Sequence, residues 1–278
     1  MGATCCSCCG KSNVVQPTYN PEVYRTKTPA LIRKSETVLM IKKSPPIMRD
    51  DSTMQRFLKP GISTNNPLKL IDGYLNEPLV SLEEALQPFH GRIDQLAYYI
   101  KEAKSKCHYP SEHNLTRDES AAIYIYTMKW DNKCLYDHLQ EAWSFEDKSQ
   151  MKPWFKYLKL FKSACDKLPN VKKEIWQGTP FDERLIEKLS SKSLSLYSSM
   201  TSCLLWPNEI DDYLRKNDNA KIILISYEFV NGKSIAGYSA NSWDEVIVSP
   251  GVKLGVASHS MIDANGSVTL HLKRVISK

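Results

Sequence analysis

The chain has 278 residues, 42% of them hydrophobic and 24% charged, a composition that suits one large globular domain or two small ones. No run of about 18 apolar residues occurs, which excludes a readable membrane-spanning helix, and no apolar stretch near the start argues for a secretory signal. The formal net charge of +6 sits in residues 1–60, where ten Lys/Arg face four acids, so the remainder is balanced and a basic nucleic-acid-binding body is not expected.

The first ten residues, MGATCCSCCG, place Gly2 after the initiator Met and cluster Cys5, Cys6, Cys8 and Cys9. A single myristoyl chain holds a protein on a bilayer only marginally, so stable attachment needs a second signal. Palmitates on neighbouring cysteines and scattered Lys/Arg near anionic lipid would supply it. Gly2 and the four cysteines are therefore candidate lipidation sites on an intracellular chain held at the cytoplasmic face of a membrane. Position 6 is Cys where the myristoylation pattern asks for Ser or Thr, so the cysteines carry the reading more than Gly2 does. An unmodified tail is one alternative. A metal site is another, although CC-x-CC crowds its ligands and lacks a nearby His. The scattered Cys107, Cys134, Cys165 and Cys203 form no disulfide framework.

Residues 1–65 read as a basic, mostly disordered tail rich in Pro, Ser, Thr, Lys and Asn, with SETVLMIKK as its one candidate strand or partner-binding segment. Residues 66–278 read as the folded domain. Ser81 with Glu84, and Thr116 with Glu119, have the spacing of helix capping boxes. The apolar positions Leu82, Ala85, Leu86, Phe89, Ile93, Leu96, Tyr99 and Ile100 follow helical spacing. LTRDESAAIYIYTMKW, NKCLYDHLQEAW and MKPWFKYLKLFKSACDKLP complete a helical half that stops at Pro169. Tyr124, Tyr126, Trp154, Tyr157, Leu158, Leu160 and Phe161 belong to its core.

Beyond Pro169 the pattern turns to strands. KKEIWQG is closed by Gly178, and KIILISYEF is followed by Asn231-Gly232, a hairpin turn signal. DEVIVSPG, VKLGVAS and SVTLHLKRV follow, bounded by Pro-Gly and DANG turns. Helices first and strands second predict an α+β architecture. No Gly-rich phosphate loop, HExxH or paired CxxC motif is present, so Rossmann, P-loop and zinc-motif readings fail and no metal is expected. The tripeptides at Asn114 and Asn265 are read as chance sequons, and His259 and His271 as structural.

Several of these pieces, in this order, resemble the arginine-type mono-ADP-ribosyltransferases over residues 75–275. LTRDESAAIYIYT and PWFKYLKLFKSACDKLP resemble the family's helical lobe. EIWQGTP sits where the family has an aromatic-Arg-Gly strand, LYSSMTSC resembles its serine strand, and GYSANSWDEVIVSPG resembles the mouth of the strand bearing the catalytic glutamate. The resemblance implies a helical N-terminal lobe packed on a split mixed β-sheet that grips NAD. It also implies a transferase that moves ADP-ribose from NAD to a protein side chain, or hydrolyses NAD where no acceptor is seated.

Cleaving nicotinamide from ribose develops positive charge on the sugar, which a fixed carboxylate stabilises. By resemblance Glu245 is that carboxylate. Ser202 orients it and contacts NAD (Thr201 if the alignment slips by one), and Gly178 offers backbone groups to the nicotinamide amide. Two positions depart from the family. Gln177 replaces the NAD-binding Arg, and its neutral amide cannot imitate the guanidinium fork. Trp243 replaces the acid that engages the acceptor. Strand alternation puts Trp243 on the face of Glu245 and turns Asp244 away, so Trp243 is an acceptor-site position or a packing residue. Cys203 reads as a buried small hydrophobe. A lipid-anchored pseudoenzyme that binds NAD or ADP-ribose is the alternative function.

Overall fold

A computed structural model describes residues 51–63, 73–145, 147–190, 195–197, 199–217, 221–228, 230–257, 261–264 and 266–275. The lipidation candidates Gly2, Cys5, Cys6, Cys8 and Cys9, the SETVLMIKK segment, His259 and Asn265 lie outside them.

The helical lobe comprises α1 (Leu82–Leu86), α2 (Leu96–Lys106), α3 (Arg117–Thr127), α4 (Leu135–Ser144) and α5 (Phe155–Lys167). Both expected caps form. Ser81 Oγ accepts from Glu84 N, and Thr116 with Glu119 closes a full capping box on α3. The apolar run from Leu82 to Ile100 is not continuous. Pro88 enters a 3-10 turn, Gly91 takes φ +75° and Gln95 φ +52°, and the helix restarts at Leu96. The periodicity was right for the buried face but did not register these breaks. Tyr126, Trp154, Tyr157, Leu158, Leu160 and Phe161 are all buried in one core with residues of α1, α2 and α4, whereas Tyr124 is only partly buried.

The strands are β1 (Ile62–Ser63), β2 (Asn170–Val171), β3 (Ile175–Pro180), β4 (Ser195–Tyr197), β5 (Thr201–Leu204), β6 (Ile222–Glu228), β7 (Gly232–Ser234), β8 (Glu245–Val248), β9 (Lys253–Val256), β10 (Met261–Ile262) and β11 (Val268–Arg274). Two helices the sequence reading passed over interrupt them, α6 (Glu183–Ser190) and α7 (Pro207–Lys216). The sheet order is β1-β4-β9-β11-β6-β3-β5-β8-β7-β2, with β10 on β11. It is mixed, because β6 and β11 run parallel while the other pairs are antiparallel.

Its centre is split. β3 shares a six-pair ladder with β6 but meets β5 at one pair, Trp176↔Leu204. Two sheet halves thus diverge from a narrow junction. The chain crosses between them, and this explains why the hairpin expected at Asn231-Gly232 does not pair β6 with β7. After β6 it leaves through Asn231 (φ +51°) and pairs β7 with β8 and β2 instead. After β8, the Pro250-Gly251 turn delivers β9 to β11 and β4. The turn chemistry was legible; the pairing partner was not. Gly178 lies inside β3 rather than closing it.

The domain boundary also moves. Residues 51–63, assigned from sequence to the disordered tail, belong to the body. Asp51–Phe57 is a 3-10 turn whose Met54 and Phe57 are buried against Leu204, Ile210, Leu214 and Trp243, and β1 pairs with β4. The residues Met54 and Phe57, three apart, give even this polar stretch an apolar side to bury.

Candidate active site

Glu245 opens β8 and is fully buried. Register explains its surroundings. Leu204 lies opposite Glu245 and Ser202 opposite Ile247 across the β5–β8 ladder, so these side chains share the face that meets the helical lobe and the 51–57 turn. Trp243, just before β8, is buried on the same side, packed with Leu204. Asp244 turns away and accepts a hydrogen bond from Trp206 Nε1 at 3.0 Å.

The carboxylate is not free. Arg56 Nη2 donates to Glu245 Oε2 at 2.9 Å and Arg56 Nε to Oε1 at 3.3 Å, while Arg56 Nη1 reaches the Thr127 carbonyl at 3.4 Å. Arg56 is itself buried, 4% exposed. Burial alone would lower its pKa, but the facing carboxylate of Glu245 more than offsets this and holds it above its ordinary value. The arginine therefore stays charged, in a two-pronged ion pair shut off from water.

Gln177 is fully buried on β3, and both ends of its amide are taken. Nε2 donates to the Ser202 carbonyl at 2.8 Å and lies 3.5 Å from the Lys59 carbonyl, while Oε1 accepts from Tyr227 Oη at 2.8 Å. A neutral amide is what this place can satisfy; a guanidinium would bring a buried charge. Ser202 Oγ shares a 3.3 Å hydrogen bond with Tyr126 Oη. Ser202 thus reaches toward the helical lobe, and the expected bond to Glu245 is replaced by those from Arg56. Burial pushes the Tyr126 phenol well above its ordinary pKa, so it acts as a neutral hydroxyl.

Trp243 Nε1 donates to Thr53 Oγ1 at 2.8 Å, and its ring meets Phe57 edge-on with centroids 6.2 Å apart. Gly178 has a packing role: a methyl there would come within 2.3 Å of Ile210 Cγ2 on α7. Thr201, the alternative to Ser202, faces Gly61 and bonds the Ser199 carbonyl. Cys203 is buried in the sheet core. The His271 ring lies edge-on to Trp176, with centroids 6.2 Å apart. Its ligating atoms and those of Glu174 and Glu228 lie within 4.8 Å of one another.

Ser202, Trp243 and Glu245, named from sequence, therefore lie on one side of the sheet, while Gln177, beside Trp176 on β3, reaches β5 through the Ser202 carbonyl. The residues missed are those that hold them: Arg56, Thr53, Tyr126 and Tyr227. Arg56 and Thr53 were hidden by their polar context. Beside the ion pair opens a cleft of about 310 Å³, lined by residues including Arg56, Lys59, Lys129, Trp130, Asp131 and Tyr136. Trp130 Nε1 is buried with no hydrogen-bond partner among the described residues. That volume is at the low end of the ~300–1,000 Å³ typical for small ligands.

No family model matches the chain, and no curated protein does. Among solved structures it is similar to the type III effector XopAI of Xanthomonas axonopodis pv. citri, with TM-score 0.49 and 13% identity over 74% of this chain and 92% of that one. It is also similar to the ADP-ribosyltransferase HopU1 of Pseudomonas syringae pv. Tomato, with TM-score 0.48 and 14% identity over 81% and 96% of the two chains. The Vis toxin of Vibrio splendidus, an ADP-ribosyltransferase, gives TM-score 0.47 and 19% identity over 73% and 90%.

Proposed function

We propose that the chain is an NAD-dependent mono-ADP-ribosyltransferase of the arginine-type class, carrying ADP-ribose to a protein side chain. One observation supports the reading: Glu245 and Ser202, picked out by motif order, share one face across the β5–β8 ladder, and Gln177 bonds the Ser202 carbonyl from the neighbouring strand. In this reading Glu245 stabilises the positive charge that develops on the ribose as nicotinamide departs. Ser202 and the Gly178 backbone contact the dinucleotide. Trp243 forms the wall where the class carries an acid, so the acceptor is seated differently or is water, which gives NAD hydrolysis. The N-terminal cysteines hold the chain at a membrane surface.

The test uses NAD labelled in its nicotinamide. Slow release by the purified chain that drops to background in Glu245→Ala is the expected result. Equal release by the variant, or no release by the wild-type chain either intact or after cleavage behind residue 66, refutes the proposal.

A second reading, a binding module without turnover, is favoured by Gln177, whose amide is consumed inside the protein. Calorimetry separates the two: heat of NAD or ADP-ribose binding with no nicotinamide released supports the module.

A further inference from the structure

The 51–61 segment makes polar contacts to three candidate site residues. Arg56 takes both oxygens of Glu245. Thr53 takes the indole nitrogen of Trp243. The Lys59 carbonyl lies 3.5 Å from the Gln177 amide nitrogen. Gly61 then runs against Thr201, so closely that a methyl on it would meet Thr201 Oγ1 at 2.2 Å. Between these contacts Met54 and Phe57 seal the apolar wall formed by Leu204, Ile210 and Trp243.

A segment that served only as core would have no reason to spend a buried charge. An ion pair out of water is weak evidence for stability, since apolar side chains of similar volume often do as well or better. Here the cation neutralises the carboxylate on which the proposed chemistry depends, and the segment fills the space in front of it. We infer that residues 51–61 are a displaceable latch, with Arg56 as an internal guanidinium that keeps Glu245 buried and neutralised until the segment withdraws. This rests on the proposed function only for its consequence, control of NAD cleavage; the exposure of Glu245 is a separate observable.

The geometry supplies the means to test it. A Cβ at Gly61 would lie 3.4 Å from Thr201 Cβ, just under the ~3.5–4.5 Å separation a disulfide bridges. The full chain carrying Gly61→Cys and Thr201→Cys, with a protease site inserted after residue 66, is cut in its oxidised and reduced forms. Glu245 is then labelled with a water-soluble carbodiimide and an amine and read by peptide mass spectrometry, beside nicotinamide release from NAD.

In the reduced, cut chain the N-terminal fragment is expected to leave on gel filtration while the body keeps its near-ultraviolet dichroism. Glu245 labelling should rise from background to most of the molecules, and nicotinamide release should rise at least tenfold. The oxidised, cut chain should keep the fragment and show neither gain. The latch is overturned if Glu245 stays unlabelled once the fragment has left, if the fragment does not leave, or if the body unfolds on losing it. Labelling gained without any nicotinamide release upholds the latch and sinks the NAD reading instead.

Discussion

At Glu245 the side-chain partner among the described residues is Arg56, and this dictates how the pair responds to substitution. Glu245→Leu leaves a buried guanidinium whose remaining hydrogen-bond partner among the described residues is the Thr127 carbonyl, and Arg56→Met leaves the buried carboxylate without its guanidinium. Each should cost about 3–5 kcal/mol. Combined as Arg56→Met with Glu245→Leu, the losses should be far from additive, and the double variant should approach or exceed wild-type stability. Urea unfolding of the four chains measures this; simple additivity would mean the pair does not act as a unit. Trp243→Phe keeps the edge-on ring but removes the donor to Thr53 (2.8 Å), for an expected loss of about 1 kcal/mol. If Trp243 is packing and not acceptor recognition, calorimetry should leave NAD affinity unchanged in that variant. The sequence named the carboxylate and its tryptophan neighbour because GYSANSWDEVIVSPG, a single continuous stretch, resembles the strand mouth that bears the catalytic glutamate. It could not name Arg56, 189 residues away, because nothing local marks a residue whose partner is chosen by tertiary packing.

Among the elements, α3 shows how a local signal is reused by the fold. Glu119, placed by its capping box, is buried, and its carboxylate also takes Ser163 Oγ at 2.7 Å and Lys167 Nζ at 2.5 Å from α5. Burial would raise its pKa, but the Lys167, Thr116 and Ser163 hydrogen bonds outweigh it and hold the carboxyl below its ordinary value of 4.5. A lowered folded-state pKa means the stabilisation is complete above about pH 4.5 and is lost as pH falls below that value. Glu119→Gln should therefore lower stability by about 1.5–3 kcal/mol near pH 7. The gap to wild type should close on acidification toward pH 3, as thermal melts across that range would show. On β3, Gly178→Ala should cost about 1–3 kcal/mol by overpacking against α7, partly recovered by Ile210→Ala. The caps and the helical core were legible because their signals lie within one turn of chain. The pairing of β7 and β9 was not, because a turn residue states that the chain reverses without saying which strand receives it. Helices α6 and α7 escaped for a similar reason, lying in a region whose strands dominate its texture.

For the whole molecule, the positive charge belongs to residues 1–60, beside the segment that covers Glu245. If the cysteines at 5, 6, 8 and 9 are acylated, full-length protein from its native cells should enter a detergent phase and return to the aqueous phase after hydroxylamine, which cleaves thioesters. A wholly aqueous distribution from the outset would refute the anchor. The sheet junction at Trp176↔Leu204 has a different kind of consequence. With so few bonds linking its halves, the amides of β3, β6 and β11 should exchange with deuterium as one cooperative group, and those of β5 and β8 as another with its own opening free energy. Proton exchange at the backbone would thus reveal two breathing bodies inside what the packing presents as a single sheet.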